Sequence, residues 1–199
     1  MAGKDTAIVI DLETQKGFQD VGRDKHHRLK ISVAGIYRYE TDEYLAIDEK
    51  DILTIEPLIK NASLVIGFNI IGFDLPVLAP YLFFPVNNLP VLDLMAEIEK
   101  TLGHRVTLES VAEATLKKSK SGSGKDAIEL FKQGKIAELK KYCLDDVRIT
   151  KEIYEYGKKY GKVFFRSNRD FRVHEIPVKW ADFTPQTKPQ EQSFPTSLF

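Results

Sequence analysis

The stretch that most limits what this chain can fold into is AIVIDLET, Ala7 to Thr14, a β-branched run that passes straight into Asp11-Leu12-Glu13. Ile and Val suit a pleated, half-buried strand. Successive strand side chains point to opposite faces, so Asp11 and Glu13 share one face, about 6–7 Å apart along the strand. Two carboxylates held that close repel unless something positive lies between them, and a divalent cation is the usual solution. The plain alternative is a strand ending in a solvated acidic turn. Residues further along the chain decide between the two.

Composition sets the outer bounds. With 199 residues and 43% hydrophobic content, the chain is long enough for one well-packed domain and short for two. Its 29 basic residues balance 29 acidic ones, so any nucleic-acid surface has to be local. The single cysteine, Cys143, excludes an internal disulfide framework and fits a reducing compartment. No signal-peptide stretch precedes the acids, and no run approaches the ~20 apolar residues of a membrane span. The expectation is a soluble, cytoplasmic protein with no membrane partner. Residues 1–180 form its single domain, and 181–199 are a flexible Pro/Gln/Ser-rich tail without periodicity.

The pattern then alternates strands and helices. Residues 15–30 read as a polar loop broken by Gly17 and Gly22, with a basic cluster of Arg23, Lys25, His26, His27, Arg28 and Lys30. This cluster is either a solvated face or a phosphate contact leaving the acidic strand end. KISVAGIYRYE and EYLAID read as an antiparallel pair around Thr41-Asp42, opening a mixed sheet. Ile52, Leu53, Ile55, Leu58 and Ile59 predict one amphipathic helix over residues 49–60. A buried strand, Leu64 to Ile66, is followed by Asp74 in an N-cap position with Pro76 in the first turn. A short strand near Asp93 enters a helix from Leu94 to Leu102, with Asp93 capping that helix rather than binding metal. Further helices are expected over 107–116, 126–133 and 136 to about 156, and a strand pair closes the domain. Between Lys117 and Lys141 eight lysines face three acids, Asp126, Glu129 and Glu138. Phosphate-backbone contact is one reading of that patch and a solvated helix surface the other.

The acids can now be assembled. Asp11 and Glu13 end one strand, Asp74 opens a helix after another, and Tyr142 and Asp146 are four apart on one helical face. Four carboxylates from three elements, with a phenol beside the last, suit two divalent metals that hold a scissile phosphate and activate water. Mg²⁺ or Mn²⁺ matches the all-oxygen set, whereas Zn²⁺ would want a His or Cys cluster that the sequence lacks.

IVIDLET, GFNIIGFDLPVL and YCLDDV, in that order and spacing, resemble the DEDD superfamily of 3′–5′ exonucleases. The likeness is greatest to the proofreading exonuclease domain of family B DNA polymerases and its stand-alone relatives, over residues 7–161. It implies an α/β ribonuclease H-like fold: a mixed five-stranded sheet flanked by helices, with a small C-terminal strand pair. It also implies that Asp11, Glu13, Asp74 and Asp146 hold two Mg or Mn ions. Tyr142 would orient the attacking water, and Asn69, Phe73, Leu12 and Thr14 would line the substrate site. A tyrosine four residues before the last acid places the chain in the tyrosine branch, since the histidine of the other branch would fall at Lys141. The same spacing selects Asp146 over Asp145. The implied partner is a single-stranded 3′ end of nucleic acid, DNA before RNA, in a setting such as DNA repair. Lys120 or Lys125 would reach its backbone.

Two rivals come from other classes: a ribonuclease or structure-specific endonuclease on the same fold, and a non-catalytic exonuclease-like module that docks a helicase or polymerase. In the tail, Gln192 followed by Leu198-Phe199 resembles the terminal peptides that bind a sliding clamp, although Pro195 departs from that pattern.

Overall fold

A computed structural model describes residues 6–118 and 124–181. The chain opens with β1 (Ile8–Thr14), a one-turn helix α1 (Phe18–Val21), β2 (Ile31–Arg38) and β3 (Glu43–Asp48). It continues through α2 (Glu56–Lys60), β4 (Val65–Gly67), α3 (Asp74–Leu78) and β5 (Val91–Asp93). Four helices follow: α4 (Leu94–Leu102), α5 (Leu108–Leu116), α6 (Gly124–Lys132) and the 25-residue α7 (Ile136–Tyr160). The hairpin β6 (Lys162–Arg166) and β7 (Val173–Pro177) closes the domain.

The five-stranded sheet runs β3-β2-β1-β4-β5. β1 pairs antiparallel with β2, and β2 with β3, whereas β1, β4 and β5 are mutually parallel. With helices on both faces and a separate strand pair, this is the mixed sheet expected from the sequence. The C-terminal ends of β1, β4 and β5 share one edge, the place where open α/β sheets bind ligands.

Alternation along β1 divides the core. Ile8, Ile10 and Leu12 pack with Ile36, Ile55, Ile59, Leu75 and Leu78 on the α2–α3 side. Val9 packs with Ile66, Leu92, Ile98, Val147, Ile153 and Trp180 on the α7 side. The period of two then puts Asp11 and Glu13 on the α7 face. Each fully buried Ile or Leu contributes about 1.5–3 kcal/mol, so β1 is held by both layers while its acids look toward one.

α7 reaches those acids because β2 makes room for it. Gly35 pairs with Asp11 across the sheet. A Cβ on Gly35 would lie 2.8 Å from both Cys143 Sγ and Val147 Cγ2. At the other end of the helix, a Cβ on Gly157 would lie 2.2 Å from the Trp180 ring. Two glycines, one on the sheet and one on the helix, thus set how closely α7 is packed.

Several elements differ from their sequence readings. The helix expected over residues 49–60 is a 3₁₀ segment, Glu49–Ile55, followed by α2 with Pro57 in its first turn. Pro57 has no N–H to continue the earlier turns and is well suited to start new ones. Residues 15–30 are structured, with α1 and a 3₁₀ turn at His26–Arg28. α6 begins at Gly124, two residues early. α7 runs on to Tyr160, where Gly161 takes φ 67° and Lys158 and Lys159 sit favourably in the last turn. Asp74 is not the N-cap of α3: Phe73 holds that place, and the Asp74 carboxylate is used elsewhere. Among the described residues no helix is long and apolar enough to cross a membrane. The tail from residue 182, with its clamp-like motif, and Lys120 lie outside the described residues.

Candidate active site

Asp11 and Glu13 from β1 and Asp146 from α7 converge, each offering an oxygen within 4.8 Å of the others. Glu13 and Asp146 are only 7% and 3% exposed. Asp145, next to Asp146, turns away to pair with Arg148 at 2.5 Å. Asp74 approaches β1 from α3: its Oδ1 accepts the Leu12 N–H at 2.8 Å. That bond ties the start of α3 to the strand between the two β1 acids, so Asp74 enters the site by a contact to β1 and not by capping its own helix.

The acids sit in a cavity of about 650 Å³. The acids, the tyrosine and the substrate-site residues named by the resemblance all line it: Asp11, Leu12, Glu13, Thr14, Asn69, Phe73, Asp74, Tyr142 and Asp146. Tyr142 is buried one turn before Asp146 on α7. Thr14 Oγ donates to the Lys16 carbonyl at 2.8 Å. Of the two candidate lysines, Lys125 lines the cavity. Elsewhere in the lysine-rich segment, Lys118 pairs with Glu152 and Lys140 with Asp48.

Crowding carboxylates in a dry place has electrostatic consequences. Burial pushes the Asp74 carboxyl up to about 7, and the Asp93 and Asp146 charges add to the rise against the pull of the Leu12 N–H. Burial likewise pushes the Cys143 thiol well above its ordinary value, with the Asp11 and Glu13 charges adding to it. The neutral thiol lies 3.5 Å from the Asp11 carbonyl and 3.8 Å from Asp11 Oδ2. A site that raises the cost of its own negative charge is built for positive charge to enter. The donor set is all oxygen and fits Mg²⁺ or Mn²⁺.

Two supporting residues stand behind the site, one of them, Arg105, not singled out in the sequence. Asp93 does cap α4, accepting from Met95 and Ala96 N–H at 3.1 and 3.2 Å. The same carboxylate also accepts from Asn69 N–H at 2.8 Å and Ile71 N–H at 3.0 Å, fixing the loop after β4. Asn69 there has φ 67°, a left-handed conformation that asparagine tolerates well. Its Oδ1 accepts from Arg105 Nη2. Because arginine can only donate, the amide oxygen must face Arg105, which leaves the Nδ2 donors for another partner. Gly72 permits this approach, since a Cβ there would lie 2.6 Å from Asn69 Oδ1. Nothing in GHRV marks Arg105 in the sequence, because its partner is 36 residues away.

This fold, with acids converging at the ends of parallel strands, is that of a known superfamily. The family model of the RNase H superfamily matches residues 8–157, and the chain belongs to that superfamily. The structure is similar to RNase D of Trypanosoma brucei, with a TM-score of 0.56 at 15% identity over 85% of this chain. The chain spans 60% of the length of that protein. No curated protein matches the sequence.

Proposed function

We propose that the protein is a metal-dependent 3′–5′ exonuclease of the tyrosine branch of the DEDD nucleases, releasing nucleoside 5′-monophosphates from single-stranded 3′ ends, of DNA before RNA. The observation that carries this reading is the convergence of Asp11, Glu13 and Asp146 within 4.8 Å, in a cavity that Asp74 and Tyr142 also line. These four acids would hold two Mg or Mn ions. Bound there, the ions would neutralise the phosphate and activate a water. The chain's own groups do the rest. Tyr142 hydrogen-bonds and aligns the attacking water. Asn69 offers N–H to an oxygen of the terminal nucleotide, and Phe73 offers a ring to its base. Lys125 faces the phosphate.

The test is hydrolysis of 5′-labelled single- and double-stranded DNA and RNA, with free and blocked 3′ ends, in Mg²⁺, Mn²⁺ and chelator. A ladder of products shortened from a free 3′ end is expected, and cleavage of blocked ends would point to an endonuclease instead. Asp11→Ala and Asp146→Ala should each lower the rate by about a thousandfold or more. Tyr142→Phe should slow the reaction by roughly ten- to a hundredfold with metal binding intact. Full activity in a clean Asp11→Ala preparation would overturn the assignment.

A further inference from the structure

The β1–β2 connection, residues 15–30, leaves the strand that carries Asp11 and Glu13 and returns beside it. It is closed by Gln15 N–H to the Lys30 carbonyl at 2.9 Å and Lys16 N–H to the Leu29 carbonyl at 3.2 Å. Leu29 is fully buried and pins the return. The Gln15 amide donates to the Ile31 carbonyl at 2.9 Å and to Glu49 at 2.5 Å. The connection therefore has a defined shape.

Its inner side is cavity wall, where Lys16, Gly17, Phe18 and Gln19 face the acids. Phe18 meets Phe73 edge-to-face, with ring centroids 6.0 Å apart, and His26 at 5.0 Å. His26 and Phe73 close the triangle at 6.3 Å. These rings come from α1, the 3₁₀ turn and the start of α3, and stand beside Asp74. All three are partly exposed, and each edge-to-face contact covers a face of only one of its two rings.

The outer side carries Arg23, Lys25, Arg28 and Lys30, all exposed. None of the four is in an ion pair among the described residues. Some surface cations elsewhere are neutralised, as in Lys162–Glu175 and Arg166–Glu113. Of the acids in the loop, Asp20 is engaged with the Gly17 N–H at 2.8 Å. A cavity of carboxylates repels a polyanion, and ions in it can offset only the phosphate being cut. The remaining phosphates of a strand need cations just outside, and this loop provides them.

We propose that residues 15–30 form a second contact for single-stranded nucleic acid. Phe18, with Phe73, stacks an unpaired base, and Arg23, Lys25, Arg28 and Lys30 take phosphates upstream of the scissile bond. The inference rests on the exonuclease reading for its direction along the strand. A single strand is the partner because a base can stack on these rings only when it is unpaired.

The test uses the full chain and a 5′-fluorescein oligothymidylate long enough to cross the loop. Binding is followed by anisotropy in Ca²⁺ over a salt series. In the quadruple variant R23Q/K25Q/R28Q/K30Q affinity should fall about tenfold or more, and the slope of log K against log salt should flatten by about 0.7 for each phosphate no longer neutralised. With Mg²⁺, the ratio of kcat/KM for the long strand over a dinucleotide should fall by a similar factor. F18L should weaken binding about fivefold and F18W should restore it, because only tryptophan keeps a stacking face. Thermal melts check that each variant is folded.

Wild-type affinity and slope in the quadruple variant would overturn the proposal. So would a wild type that binds no single strand, or one that binds duplex equally well. A wild type that binds with the expected slope but releases no mononucleotide would support the loop's role and remove the exonuclease reading.

Discussion

The two halves of α7 pack against their surroundings in opposite ways. Toward its C-terminus, Ile153, Tyr154 and Gly157 meet Val163, Ile176 and Trp180, apolar surface on apolar surface. Toward its N-terminus, the same helix brings Tyr142 and Asp146 to the half-buried Asp11 and the buried Glu13, with Cys143 and Val147 pressed onto Gly35. The first contact stabilises without specifying any chemistry. The second opposes folding until positive charge arrives. One rigid helix can carry both because the far half anchors it, so the site half need not hold itself in place.

The contrast breaks most severely at the anchored end. Gly157→Ala would put a Cβ 2.2 Å from the Trp180 ring. We expect a loss of about 3 kcal/mol and a Tm drop on the order of 10 °C in thermal melts, with little change in kcat for the fraction that stays folded. At the site end, Gly35→Ala would meet Cys143 and Val147 at 2.8 Å. Here the loss of stability should be smaller, about 1–2 kcal/mol. Hydrolysis should fall by roughly a hundredfold, because a displacement near 1 Å moves Asp146 away from Asp11. Equal damage to stability and rate at both glycines would show that the halves are not distinct.

Proton linkage sharpens the same comparison. In chelator, folded Asp74 keeps its proton up to about 7, against an ordinary value of 3.8. The folded state then binds more protons than the unfolded one in that window, so stability falls as pH rises from about 4 to about 7. Melts across this range should show the slope, and Asp74→Asn should flatten it. Mg²⁺ or Mn²⁺ should offset the loss near neutral pH by favouring the ionised form.

The smallest effect concerns the rim. Arg105→Ala frees the Asn69 amide, and KM for an oligonucleotide should rise about three- to tenfold with kcat within twofold. In a double-mutant cycle the loss should not add to that of Asn69→Ala. Additive losses would mean that Arg105 acts on substrate by itself.

Much of the scaffold was legible because it rests on local periodicity. The β1 alternation that faces Asp11 and Glu13 one way, and the apolar face of α7 through Leu139, Cys143, Val147, Ile149 or Thr150, and Ile153-Tyr154, can be read from residue spacing, and these α7 residues are buried. The misread pieces depend on backbone detail or distant partners. Pro57 divides one helix into two segments, and Asp74 takes its partner from a strand 62 positions earlier. Arg105 becomes informative only when the loops after β4 and α4 are brought together. Gly35 in ISVAGIYR reads as an unremarkable strand glycine until α7 is laid upon it.

Asp93 has an implication for anyone dissecting the molecule by mutation. Its carboxylate gathers four backbone N–H groups from two segments while never reaching the cavity itself. A screen for inactive variants would therefore return five acids where the proposed chemistry calls for four. The odd one out would betray itself by melting early rather than by failing to hold an ion.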